Sequence, residues 1–90
     1  MQRLELRVRG RVQGVAFRAY ARTRARQLGL VGWVRNEPDG SVRLVAEGPD
    51  EALRALADWA AHGPDHARVD RCDSAWGQAA GTFSEFIIKG

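Results

Sequence analysis

Scarcity bounds this chain before any motif does. Its 90 residues include one cysteine, Cys72, so no disulfide can form within the chain and no cysteine cage for a metal exists. A buried or half-buried strand thiol is the expected state of Cys72. No apolar run approaches the ~20 residues that span a bilayer, and the N-terminus has no signal-peptide core. The expectation is a soluble cytoplasmic protein without a membrane partner. Repeats, low-complexity stretches and Pro/Gly-rich linkers are also missing. With 44% hydrophobic residues, residues 1–90 read as a single domain with one core, a monomer in expectation. The two histidines, His62 and His66, straddle Gly63-Pro64. They cannot share a helix face and make a poor metal pair, so neither a metal nor a cofactor is expected. Asn36 is the only asparagine, and Lys89 the only lysine among 14 basic residues.

The basic residues present are almost all arginine. A formal net charge of +3 and a pI near 10.0 favour anionic partners in general, but charge alone does not separate phosphate esters from nucleic acid. Local pattern is more specific. Leu4, Leu6 and Val8 alternate with Arg3, Glu5, Arg7 and Arg9, which predicts a strand with one buried face. Beyond it, Phe17, Tyr20, Ala21, Ala25 and Leu28 recur at helical spacing, and Gly29 stands where a helix would stop.

Between strand and helix runs Gly10-Arg11-Val12-Gln13-Gly14-Val15-Ala16-Phe17-Arg18. Glycines allow backbone N–H groups to converge, and a helix N-terminus carries roughly half an elementary positive charge. Both features suit an anion. An arginine in the first helical turn is repelled by that dipole, at a cost of a few tenths of a kcal/mol up to about 1, so folding alone would not select Arg18. It reads as an anion ligand, whereas Arg22 and Arg26 read as a solvated i, i+4 face. Gln13, Gly14, Val15, Ala16, Phe17 and Arg18 form the expected phosphate-binding stretch. Gln13 is expected to lend only its backbone N–H, and Val12 and Val15 to anchor the loop to the core.

Further on, Leu30 to Asn36 and Ser41 to Glu47 flank Glu37-Pro38-Asp39-Gly40, a hairpin signal. Gly48-Pro49-Asp50-Glu51 then opens a second helix, with Pro49 at its first position. Leu53, Leu56, Ala57 and Ala60 supply its inner face, and Gly63-Pro64 ends it. Val69 to Trp76 and Ser84 to Lys89 are predicted strands, with Gly77 to Gly81 as a loop between them. The order β-α-β-β-α-β, with one extra strand, predicts an α+β fold. It is the ferredoxin-like split βαβ arrangement, with two helices on one face of a mostly antiparallel sheet.

GRVQGVAFR at 10 to 18 and GLVGWVRNEPDGSV at 29 to 42 resemble the two signatures of the acylphosphatases. The likeness extends through Ala46-Glu47-Gly48, the second helix and Phe86-Ile87-Ile88. Two motifs in order on the right elements are far more specific than a lone glycine pattern. The resemblance implies hydrolysis of the carboxyl-phosphate anhydride of a small-molecule acyl phosphate, without a metal and without a covalent intermediate. It further implies that Arg18 and the Gln13 to Arg18 backbone hold the phosphoryl group, and that Asn36 orients the attacking water. Inorganic phosphate or sulfate should compete. The departures are Ala16, where other members often carry glycine or an aromatic residue, and Arg43, where an acid is common.

On its own, Asn36 beside Pro38-Asp39-Gly40 reads as a turn residue; next to an anion loop, a neutral amide suits water positioning because it does not repel an incoming dianion. Asp39 reads as part of the hairpin turn, Asp73 as an exposed strand position, and Ser74 lacks any nucleophile-elbow or triad pattern. Trp33, Trp59 and Trp76 read as core or core-edge residues rather than stacking platforms. An RNA-binding module would place aromatics on the central strands, and the first strand has none between Arg3 and Gly10; nucleic acid is therefore not the expected partner. A metal carrier would need paired cysteines in the first loop. A catalytically idle anion sensor on the same scaffold is the alternative that only an assay separates.

Overall fold

The computed structural model describes residues 1–90, in the order β1 (Gln2–Arg11), α1 (Phe17–Gln27), β2 (Val31–Asn36), β3 (Val42–Gly48), α2 (Asp50–His62), β4 (Arg68–Gln78) and β5 (Phe86–Ile88). The strands form one sheet in the order β4-β1-β3-β2-β5. Its pairings are antiparallel apart from β2 with β5, which is parallel. This is the expected split βαβ sheet, and the extra strand lies on the β2 edge.

Alternation determines which face of the sheet is covered. Leu4, Leu6 and Val8 of β1 are paired in register with Ala46, Leu44 and Val42 of β3, and all six are buried. Onto this face the helices set Phe17, Ala21 and Ala25 from α1 and Leu53, Leu56 and Ala60 from α2, in one cluster with Leu30, Val34 and Phe86. Each fully buried Val, Leu or Phe side chain contributes about 1.5–3 kcal/mol, so the core is carried mainly by about a dozen such groups. Helix α1 packs on β2 and β5, whereas α2 packs on β4 and β1.

Helix α1 ends as its glycine predicts. Gly29 adopts φ +73°, its N–H donates to Arg26 O at 3.0 Å, and Leu30 N–H donates to Ala25 O at 2.9 Å, the double closure of a Schellman motif. Helix α2 starts one residue later than expected. Pro49 is its N-cap in extended conformation (φ −63°, ψ 145°), and Asp50 and Glu51 follow in the first turn, where the dipole favours acids.

Several boundaries differ from the sequence expectation. Strand β4 runs on to Gln78 because β1 continues to pair with it as far as Gln2↔Gln78; the partner strand, not the Gly77 signal, sets its end. Strand β5 is only Phe86–Ile88, although Glu85 O still accepts Gly32 N–H at 2.9 Å and Lys89 N–H donates to Val34 O at 2.9 Å on either side of it. Both Glu47 carboxylate oxygens accept backbone N–H groups, from Ala80 at 2.9 Å and Gly81 at 3.1 Å, which binds the loop to β3 through a buried side chain. Trp76 is exposed rather than core, with the Arg54 guanidinium 5.1 Å from its ring centroid. Tyr20, placed on the apolar face by its spacing, is 54% exposed. Cys72 is half-buried, and burial pushes its thiol pKa up, with Asp73 adding to the shift.

Candidate active site

Strands β1 and β2 run in the same direction, each antiparallel to β3, so their C-terminal ends open at the same edge of the sheet. From β1 the chain turns through residues 12–16 into α1; at the end of β2 stands Asn36. Val12 is buried and Val15 packs against the core, which pins the loop at two points. Between and beyond them the backbone twists. Gly14 has φ +75°, and Ala16 has φ +60°, the only non-glycine residue with positive φ. An L-residue in the left-handed region costs about 1–2 kcal/mol.

Ala16 is the N-cap of α1 and offers no side-chain hydrogen bond, and no acidic residue occupies the first turn. The first N–H groups of a helix lack intrahelical acceptors. In α1 they are neither capped nor neutralised, and the N–H groups of Gln13, Gly14, Val15 and Ala16 also meet no protein acceptor. Arg18 adds a cation to this end. No Asp or Glu pairs with it; its Nη1 donates to Gly90 O at 3.3 Å.

Arg18 and Asn36 are brought together. With Val12, Gly14, Ala16, Phe17, Ala19 and Ile88 they line one cavity of about 190 Å³. Asn36 Oδ1 is shielded from solvent and is the one buried side-chain oxygen or nitrogen with no hydrogen-bond partner. A buried acceptor left unmade costs about 1–3 kcal/mol.

The side chain of Gln13 does more than the sequence suggested. Its Nε2 donates to Glu37 O at 2.8 Å and to Ser41 O at 2.9 Å, so a single amide ties the anion loop to the hairpin that follows Asn36. Nothing in the linear pattern marks this, because both acceptors are carbonyls more than twenty residues away. Arg26 also departs from expectation: its Nε donates to Phe86 O at 3.0 Å and its Nη2 lies 3.6 Å from Glu85, which fastens α1 to β5. Asp39 lies in the hairpin turn, accepting Ser41 N–H at 3.0 Å and Ser41 Oγ–H at 2.6 Å, and Asp73 pairs with Arg71 on exposed β4. The Ser41 hydrogen bonds, then Arg9, hold the Asp39 carboxyl well below the usual carboxylate range. No group of three or more His, Cys, Asp or Glu side chains is placed to hold a metal ion, and no helix is long and apolar enough to cross a membrane.

Comparison with known proteins bears on the same stretch of chain. The family model described as acylphosphatase matches residues 4–88. An acylphosphatase of Salinibacter ruber is 51% identical over 88 residues, covering 98% of this chain and 93% of that protein. The crystal structure of acylphosphatase from Bacillus subtilis superimposes with a TM-score of 0.96 at 32% identity, covering 100% of both chains. The structure of an acylphosphatase from Coxiella burnetii gives a TM-score of 0.91 at 34% identity, covering 98% of this chain and 92% of that one. Sequence likeness over nearly the whole length thus coincides with a near-identical backbone path, and the chain belongs to the acylphosphatase family, hydrolases of acyl phosphates.

Proposed function

We propose that the phosphoryl group of the acyl phosphate is held by Arg18 and the backbone N–H groups of Gln13 to Arg18, and that Asn36 holds the water that attacks it. The observation that carries this reading is the shared cavity, lined by Arg18 and Asn36 together with Gly14 and Ala16, with Asn36 Oδ1 left without a hydrogen-bond partner. The water oxygen bonds to phosphorus while the bond from phosphorus to the acyl oxygen breaks, and its electron pair leaves on the carboxylate. The water proton passes to a phosphate oxygen.

Each residue type suits its task. Phosphoryl transfer through a loose transition state asks for positioning and for stabilisation of charge on the equatorial oxygens. A guanidinium reaches two oxygens at once and stays charged at any working pH. A carboxylate leaving group has a conjugate-acid pKa of about 4, so no general acid is needed. Asn36 Oδ1 accepts one water hydrogen and thereby aims a lone pair, without the repulsion that a carboxylate would exert on a dianion. Charge neutralisation comes from Arg18 and the N–H cradle, so the mechanism calls for no metal or cofactor.

The reading extends to a monomeric, single-domain enzyme of residues 1–90 in the cytoplasm. Support comes from a site built wholly within one chain and from a lone cysteine that calls for no oxidising compartment. Small molecules, rather than nucleic acid, are the substrates. Trp33, the aromatic centred on the sheet face away from the helices, is 9% exposed and lies beneath Arg35, Arg43 and Lys89, closed to base stacking.

The test is phosphate release from benzoyl phosphate in EDTA. Asn36→Ala should reduce kcat by roughly 10²–10³, as loss of one transition-state hydrogen-bonding group does. Arg18→Ala should lose at least as much, and with it competitive inhibition by phosphate or sulfate. Full turnover in Arg18→Ala overturns the assignment, and activity lost to EDTA and restored by Mg²⁺ overturns the metal-free mechanism.

A further inference from the structure

The two halves of the proposed site hang from strands that are not neighbours. The loop of residues 12–16 follows β1, Asn36 ends β2, and β3 lies between the two strands, which sets them about 9–10 Å apart. The ladder that joins them stops at Val42, the first residue of β3, which pairs with Val8 on one side and Asn36 on the other. Beyond that point β1 pairs only with β4. The only hydrogen bonds between residues 12–16 and residues 36–41 are the two that Gln13 Nε2 donates, to Glu37 O at 2.8 Å and to Ser41 O at 2.9 Å.

Those two acceptors flank the last ladder pair directly: Glu37 follows Asn36, and Ser41 precedes Val42. Both are carbonyl oxygens, so only the NH₂ end of the Gln13 amide can face them, and it spends both its hydrogens there. On the loop side, Val12 is buried and Val15 packs against the core, which anchors the loop independently of Gln13. On the hairpin side, the other side-chain ties to β1 are the ion pairs of Asp39 with Arg7 and Arg9, which are exposed and of a kind that contributes little. The hairpin end that carries Asn36 is therefore the part that depends on the amide. We propose that Gln13 is a positioning residue for the hydrolysis: its side chain fixes Asn36, and the water Asn36 holds, in register with the phosphoryl group on the loop. The inference rests on the assignment of the attacking water to Asn36.

The test uses Gln13→Ala and Gln13→Met, the second close to glutamine in length but without a donor. Both carbonyls keep their turn hydrogen bonds, from Gly40 N–H and Glu37 N–H, so both variants should fold, which circular dichroism checks. Each should lower kcat for benzoyl phosphate roughly ten- to a hundredfold, as a misplacement of about 1 Å does. KM and the inhibition constant of inorganic phosphate should stay within about twofold, because the phosphoryl contacts are retained. In an Asn36→Ala background the same substitutions should cost no further kcat, since a residue that acts through another does not multiply with it. Unchanged kcat in Gln13→Met, a parallel loss of phosphate affinity, or a loss that multiplies with that of Asn36→Ala overturns the proposal. Failure of the underlying assignment shows separately, as full turnover in Asn36→Ala alone.

Discussion

At the scale of single residues, the proposed phosphate cavity is assembled from choices that each cost folding free energy. Ala16 sits at φ +60°, α1 begins without a cap or an acid, Arg18 opposes the helix dipole, and Asn36 Oδ1 has no partner. By contrast α2, which has no such site, starts with Asp50 and Glu51. Costs concentrated at one place, and absent from the comparable helix, mark a site held for a ligand. Ala16 offers the cleanest check. Replacement by glycine removes the left-handed strain but adds chain entropy to the unfolded state. The net expectation for Ala16→Gly is stabilisation by roughly 0.5–1 kcal/mol, read as a higher urea midpoint at unchanged slope; a lower midpoint would contradict the strain. Arg18 and Gly14 were legible from the sequence because their chemistry is local: a cation and a φ-permissive residue at a helix start. The Gln13 clamp was not, since its acceptors are backbone carbonyls that only folding brings near.

At the scale of elements, the site depends on how the β2–β3 hairpin is held against β1. Its turn is closed by Glu37 N–H to Ser41 O at 2.8 Å and Gly40 N–H to Glu37 O at 3.1 Å. Gln13 grips the same two carbonyls from the anion loop, and Asp39 reaches Arg9 at 3.1 Å and Arg7 at 3.6 Å on β1. Because Asp39 has its carboxyl pKa depressed in the folded state, it binds a proton more readily when unfolded. Its contribution is therefore present above the ordinary carboxylate range and declines as the pH falls below it. Asp39→Asn should lower the urea midpoint at pH 7, and the gap from wild type should narrow by pH 3. A gap that stays constant with pH would remove the carboxylate from the account. The hairpin itself was legible from Pro38-Asp39-Gly40, and the end of α1 from Gly29. The extent of β4 was not, because strand ends are set by the partner strand rather than by local glycine.

At the scale of the whole molecule, ligand binding should be visible in stability. On the proposed site, an anion at the α1 N-terminus binds the folded chain and has no site in the unfolded one, so inorganic phosphate should raise the unfolding free energy by about 2.7 kcal/mol at a hundred times its Kd. Arg18→Ala should abolish that increase while leaving the unliganded protein as stable or slightly more so, the dipole conflict having been removed; an undiminished phosphate effect would place the anion elsewhere. The sequence by itself determined the elements, the helix-covered face of the sheet and the two motifs, because alternation, helical spacing, turn residues and an out-of-place arginine are all properties of neighbours along the chain. Only the tertiary structure decided that Asn36 and Arg18 line one cavity, that Gln13 fastens loop to hairpin, that Arg26 fastens α1 to β5, and that Tyr20 stands exposed. These depend on which distant segments the core brings together. Helical spacing gives Tyr20 a face, but only the packing of α1 against α2 and the sheet decides whether that face is covered.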